Sequence, residues 1–104
     1  MVAPNDSPVP NARRPRFELG GSYATPGALR ALEEAGQDAR ELFIRHGNGD
    51  WGEVGAEDAA ANDAALDQGE RLLSAYVLPR TAVKVWLITE ADRSVTTILL
   101  PDEY

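Results

Sequence analysis

The sequence predicts a single α+β domain in the order β-α-α-α-β-β-β, with a C-terminal antiparallel sheet and helices packed on one face. Three observations carry that expectation. Between residues 25 and 69 the apolar residues recur at helical spacing and each run ends at a glycine. From Leu72 onward the chain is built of β-branched and apolar runs separated by short polar connections. Finally, 104 residues with 43% apolar content supply one modest core and no second one.

Taken in order, residues 1–15 contain Pro4, Pro8, Pro10 and Pro15 with few apolar residues, which predicts a disordered leader; residues 16–104 form the domain. Phe17 and Leu19 alternate with polar neighbours as a short strand does, weakened or bulged by Gly20-Gly21. Thr25-Pro26 reads as a helix N-cap followed by proline at the first helical position, with Leu29 and Leu32 at helical spacing and Gly36 as the stop. A second helix follows from Gln37, in which Ala39, Leu42, Phe43 and His46 fall at i, i+3, i+4 and i+7 before Gly47. This places the lone histidine on the buried stripe. The glycine-rich stretch Gly47 to Gly52 predicts a tight loop with Trp51 turned back onto the core. A third, alanine-rich helix runs from about Ala56 to Gln68, its inner edge at Ala59, Asn62 and Leu66, and Gly69 closes it.

Leu72 to Leu78, Val83 to Thr89 and Val95 to Leu100 then read as three strands. Connections as short as Pro79-Arg80-Thr81 and Glu90-Ala91-Asp92-Arg93-Ser94 imply antiparallel hairpins. Ser74 and Tyr76 share a strand face with Leu72 and Leu78, which predicts a mixed core or its rim.

Charge restricts the function classes. The chain carries −7. All acids but Asp6 lie in Phe17 to Tyr104, whereas Arg13, Arg14 and Arg16 precede it, so this body stands at −9. Asp50, Glu53, Glu57, Asp58, Asp63, Asp67 and Glu70 form a run with no basic residue among them. Phosphate neutralisation dominates nucleic-acid binding, so such a body disfavours direct contact with nucleic acid. A solvated helix face is the ordinary role of such a run; the alternative is a protein-binding surface, with Asp58, Asp63 and Asp67 as its candidate residues. The absence of cysteine removes disulfides, thiol nucleophiles and zinc ribbons, and fits a reducing cytoplasm. No secretory h-region and no stretch near the roughly 20 apolar residues of a membrane span is visible. No cofactor or metal is expected: the EF-hand spacing fails, and one histidine without cysteine supplies a transition metal poorly.

Among candidate catalytic groups, His46 is the residue that would titrate near neutral pH. Asp50 could orient its ring, Arg93 could stabilise a phosphorane and Thr97 could assist. Against this stands the common fate of a lone histidine on an apolar stripe, a packed and hydrogen-bonded core residue, and for Arg93 a turn in which it pairs with Glu90 while Asp92 and Ser94 bond the backbone.

Thr25-Pro26-Gly27-Ala28, Arg45-His46 with Gly49-Asp50-Trp51-Gly52, Ser74-Ala75-Tyr76, and Ile88 to Ser94 followed by Thr96-Thr97-Ile98-Leu99-Leu100-Pro101 together resemble an uncharacterised family of small plasmid-related bacterial proteins. The likeness covers roughly Phe17 to Tyr104 and implies a setting on mobile elements rather than an activity. In architecture the chain is also similar to the barnase-like and RelE-type ribonucleases, which cleave RNA without metal; it departs from them in its acidity and its single lysine, Lys84. The expectation is an accessory, counter-defence type of protein that binds a host or element-encoded protein. The alternatives are a ribonuclease or toxin using His46, Asp50, Arg93 and Thr97, and a homodimer joined along a strand edge.

Overall fold

The structure is a computed structural model that describes residues 15–104. The expected leader, apart from Pro15, lies outside the described residues. Four strands, β1 (Gly21–Ala24), β2 (Leu72–Val77), β3 (Lys84–Thr89) and β4 (Val95–Leu99), form one sheet in the order β1-β4-β3-β2. Three helices, α1 (Pro26–Ala35), α2 (Ala39–Gly47) and α3 (Ala56–Gln68), separate β1 from the rest. The order is the predicted β-α-α-α-β-β-β. β2, β3 and β4 are antiparallel neighbours, and β1 joins β4 in parallel, which makes the whole sheet mixed.

Each helix begins and ends for local reasons. At α1 the Thr25 hydroxyl accepts from the Ala28 N–H at 3.1 Å, Pro26 opens the first turn, and Gly36 leaves it at φ 68°. The buried stripe is Ala28, Ala31, Leu32 and Ala35, while Leu29 is exposed. The three alanines let the helix approach the sheet closely, so the buried face lies one residue to the side of Leu29. At α2 the Asp38 carboxylate accepts from the Arg40 N–H at 2.9 Å, and Leu42, His46 and Gly47 are buried. The α3 helix begins at Gly55 without a side-chain cap, carries Glu57 and Asp58 in its first turn where the helix dipole favours them, and ends at Gly69.

Because side chains alternate across a strand, Leu72, Ser74 and Tyr76 of β2, Val85, Leu87 and Thr89 of β3, and Thr96 and Ile98 of β4 face the helices together. The main core joins Ala28, Ala31, Leu32 and Ala35 of α1 with Leu42, Tyr76, Leu78, Val85, Leu87 and Ile98. Fully burying a leucine or valine of this kind contributes roughly 1.5–3 kcal/mol. A second cluster, Trp51, Ala65 and Leu72, lies under α3 with Phe17, Val54, Ala59 and Leu66 against it.

The strand expected at Phe17 and Leu19 forms instead at Gly21–Ala24. Phe17 and Leu19 are used differently. Phe17 packs edge-on against the His46 ring, and the Leu19 carbonyl accepts from the Thr96 hydroxyl at 2.7 Å. The alternation that suggests a strand is the signature of a segment that walls off the core.

The outer edge of β2 is closed at Leu73 and Ala75. The Asn62 amide copies a strand partner: its Nδ2 donates to the Leu73 carbonyl at 2.7 Å and its Oδ1 accepts from the Leu73 N–H at 3.1 Å. Two residues on, the Ala75 N–H donates to the Trp51 carbonyl at 3.1 Å and the Glu53 N–H donates to the Ala75 carbonyl at 2.6 Å. Gly52 lies at that crossing with φ 75°, where a Cβ would collide with the Ala75 carbonyl, so glycine is required there.

Candidate functional site

The residue with the clearest capacity for chemistry is His46, and the fold encloses it. Periodicity carries it onto the inner face of α2, one turn beyond Leu42, where it is 0% exposed between the two apolar clusters. Its Nδ1 lies 2.5 Å from the Ser74 hydroxyl and its Nε2 lies 2.9 Å from the Thr89 hydroxyl. Thr89 and Thr96 are 2.6 Å apart through their hydroxyls. All three hydroxyl residues are fully buried.

The protons in this chain can be placed by elimination. The Thr96 O–H donates to the Leu19 carbonyl, so its oxygen must accept from the Thr89 O–H. Thr89 having spent its proton, its oxygen accepts from the Nε2–H of His46. The bare Nδ1 then accepts from the Ser74 O–H. Every donor and acceptor of the ring is used by a neutral imidazole in a single tautomer, and the chain crosses β2, β3 and β4. Phe17 and Trp51 close the remaining sides, both edge-on to the ring at 5.2 and 5.7 Å between centroids. Burial, helped by the positive charge of Arg93, pushes the imidazole from 6.5 down to about 4. A ring so placed has no path to a substrate and no free nitrogen with which to move a proton.

The other residues of the ribonuclease reading are dispersed. Asp50 does not orient His46; its carboxylate accepts from the Arg45 Nε–H at 2.7 Å and from the Gly52 N–H at 3.2 Å, and that pairing holds it below the usual carboxylate range. Arg45 in turn lies over the Tyr76 ring, 4.4 Å from its centroid, and the Tyr76 hydroxyl donates to the Asp50 carbonyl at 2.6 Å. Desolvation raises that phenol to about 12. Arg93 is a structural clasp: it donates to the carbonyls of Glu70 at 2.7 Å, Ala65 at 3.2 Å and Glu90 at 3.2 Å, and stacks over Phe17. It therefore contacts Glu90 through the main chain and not through the carboxylate. Thr97 is on the opposite face of the sheet from Thr96 and His46, in register with Tyr23 and Ile88.

No protein family, curated protein or solved structure matches the chain.

Among the described residues no group of three or more histidine and carboxylate side chains is placed to hold a metal ion. No described helix is long and apolar enough to cross a membrane. A depression of about 430 Å³ is lined by Glu41, Ile44, Arg45, Asn48 and Asp50, and it is open to solvent. The acids singled out from the sequence are exposed on α3. Asp63 has a second task, since it accepts from the Trp51 indole N–H at 3.1 Å and so anchors the loop to the helix. Asp58 and Asp67 accept no such bond among the described residues.

Sequence reasoning placed His46 on the inner stripe but missed its partners and the role of Asn62. The signal for the partners is present, because Ser74, Thr89 and Thr96 are the hydroxyl residues that strand alternation assigns to the helix-facing side once the register is known.

Proposed function

We propose that this chain is a binding protein and not an enzyme, and that it docks on a basic protein surface through the acid-bearing outer face of α3 and the adjoining loop at Asp50 to Glu53. The observation that carries the reading is uncompensated charge. Glu57, Asp58, Asp63 and Asp67 lie on one helix of 13 residues without a basic side chain. The two ion pairs found among the described residues, Arg40–Asp38 and Arg45–Asp50, neutralise none of them. Asp63 and Asp67, one turn apart, repel one another, and like-charge pairs at that spacing destabilise an isolated helix by roughly 0.2–0.5 kcal/mol. A basic partner relieves that repulsion and is steered in by it, since complementary fields accelerate encounter. The favoured partner is a protein with a basic groove, including one that ordinarily receives nucleic acid.

The setting on a mobile element and an accessory or counter-defence role there rest on the family resemblance, a cytoplasmic location rests on the absence of cysteine, and all belong to the same proposal. The ribonuclease alternative draws no support from the site, because its four residues share no cleft.

The test is charge reversal that spares Asp63. Immobilised wild-type protein should retain basic proteins at low salt, and the combined Glu57→Lys, Asp58→Lys, Asp67→Lys variant should lose them while keeping the Trp51 emission of a folded chain. Retention of the same proteins by the variant would contradict the proposal.

A further inference from the structure

The two edges of the sheet are treated differently. At β2 the Asn62 amide and the Trp51–Glu53 segment occupy the outward backbone groups of Leu73 and Ala75, leaving those of Val77 at the strand's end. At β1 the ladder to β4 uses the N–H of Gly21, 2.9 Å from the Ser94 carbonyl, and the N–H of Thr25, 3.0 Å from the Ile98 carbonyl. In a parallel ladder alternate residues point the same way, so Tyr23 also faces β4 while Ser22 and Ala24 direct their N–H and C=O groups outward. Among the described residues nothing pairs with those four groups. Apart from its shortness, four residues, the strand carries none of the devices that blunt an edge: Gly21-Ser22-Tyr23-Ala24 contains no charge and no proline. Tyr23 is 59% exposed, with its ring lying back over Gly21, where a Cβ would come within 2.8 Å of it, so the ring leaves the edge clear.

We infer that β1 is a self-association edge, at which two copies of this chain pair antiparallel about a two-fold axis with Tyr23 opposite Tyr23. In that register Ser22 of each copy exchanges both backbone bonds with Ala24 of the other, so all four outward groups of each strand are satisfied. Tyr23, whose own backbone groups are committed to β4, forms the central non-hydrogen-bonded pair, and an aromatic pair across strands is a favourable one.

Charge is compatible with a second copy as the occupant. α3, which bears the acids, packs beside β2 at the far side of the sheet. Joining β1 to β1 makes an eight-stranded sheet in which the two β2 strands are about 34 Å apart at ~4.8 Å per strand. That separation is several times the Debye length of ~8 Å at physiological ionic strength, so the acidic helices do not oppose this association. Contacts made through α3 would bring like charges together. The pairing also leaves both α3 faces free for the partner proposed above, and it does not depend on that proposal. Three residues of edge contact bury less than a stable obligate dimer requires, so the equilibrium is concentration-dependent.

The absence of cysteine makes the test direct. Tyr23→Cys places a thiol at the two-fold, where non-hydrogen-bonded partners have Cα atoms ~4.5 Å apart, within disulfide range. Under mild oxidation it should give a covalent dimer at least about tenfold faster than Ser22→Cys, whose side chain points to the other face. In sedimentation the wild type should move from the 11.2 kDa monomer towards twice that mass as concentration rises. Ser22→Pro, which removes an outward N–H and no ladder bond, should weaken the association about tenfold or more. Tyr23→Lys, which sets like charges at the axis, should do the same in a strand that retains every N–H. A monomer at every concentration, association unchanged in both variants, or equal cross-linking of the two cysteines would overturn the inference.

Discussion

The Nε2–H of His46 donates to the Thr89 hydroxyl across 2.9 Å and thereby bonds α2 to the centre of the sheet. The contact is one link of a buried chain from Ser74 to Leu19, and it accounts for a histidine enclosed in the core. A leucine there would leave the Ser74 O–H without its acceptor and the Thr89 oxygen without its donor, and an unsatisfied buried group costs about 1–3 kcal/mol. The histidine is a polar spacer with two nitrogens at the correct separation for strands β2 and β3.

Stability should therefore fall in mild acid. The folded imidazole is held at about 4 and the unfolded one titrates near 6.5. Between these values the unfolded chain binds the extra proton, so the contribution is fully present above pH 6.5 and is lost as pH falls toward 4. At about 1.36 kcal/mol per pH unit the loss is about 3 kcal/mol. Urea titrations at a series of pH values check this; His46→Gln should flatten the slope over that window. Asp50 and Glu103, held below the ordinary carboxylate range by Arg45 and by the Thr25 hydroxyl respectively, give up their contributions at lower pH still.

Thr89→Val and Thr97→Val should separate the two faces of the sheet. The first leaves the His46 Nε2–H unpaired in the core and is expected to cost about 1–3 kcal/mol. The second changes a half-buried residue outside the network and is expected to stay within about 0.5 kcal/mol. Chemical denaturation of the two variants, which carry the same substitution, makes the comparison.

Much of this fold is legible in the chain. The Thr25-Pro26 start and Gly36 stop of α1, the Gly69 stop of α3, its inner edge at Ala59, Asn62 and Leu66, and the three C-terminal strands all follow from spacing and cap chemistry, because those signals are local. The position of β1 is not local. Phe17 and Leu19 carry the alternation, but the long-range contacts of Phe17 with His46 and of Leu19 with Thr96 take them out of the sheet, and Gly21–Ala24, with little pattern of its own, pairs with β4 instead. For the site, the inward placement of His46 is visible at helical spacing. Its partners depend on strand register, which no local signal sets. Arg93 reads as a turn residue paired with Glu90 or as a group that holds an anion, whereas at φ 61° its guanidinium donates to the Ala65 and Glu70 carbonyls at the end of α3.

Asn62→Asp should be more harmful than its size suggests. The amide both donates to and accepts from Leu73, and a carboxylate would face the Leu73 carbonyl without a proton to give. A loss of roughly 2–3 kcal/mol is expected, with Asn62→Ala nearer 1–2 kcal/mol. Hydrogen exchange should show the Leu73 amide and the α3 amides losing protection together, ahead of those of β3.

Arg93→Lys should fail to preserve stability despite keeping the charge. The guanidinium reaches the carbonyls of Ala65, Glu70 and Glu90 at once and supplies the positive group that the last turn of α3 lacks. A single ammonium cannot span the same set. Thermal unfolding should report a loss of about 1–3 kcal/mol. The release of α3 from Phe17 should also appear as a change in Trp51 emission.

His46 is a sealed, neutral structural residue. Nitrogen-detected NMR of the imidazole as a function of pH measures this directly. The expected result is a protonated Nε2, a bare Nδ1 and no titration until the pH approaches about 4, the value to which burial and Arg93 push the ring. A ring that titrates near 6.5, or that exchanges between tautomers in the folded protein, would contradict it and return His46 to the list of catalytic candidates.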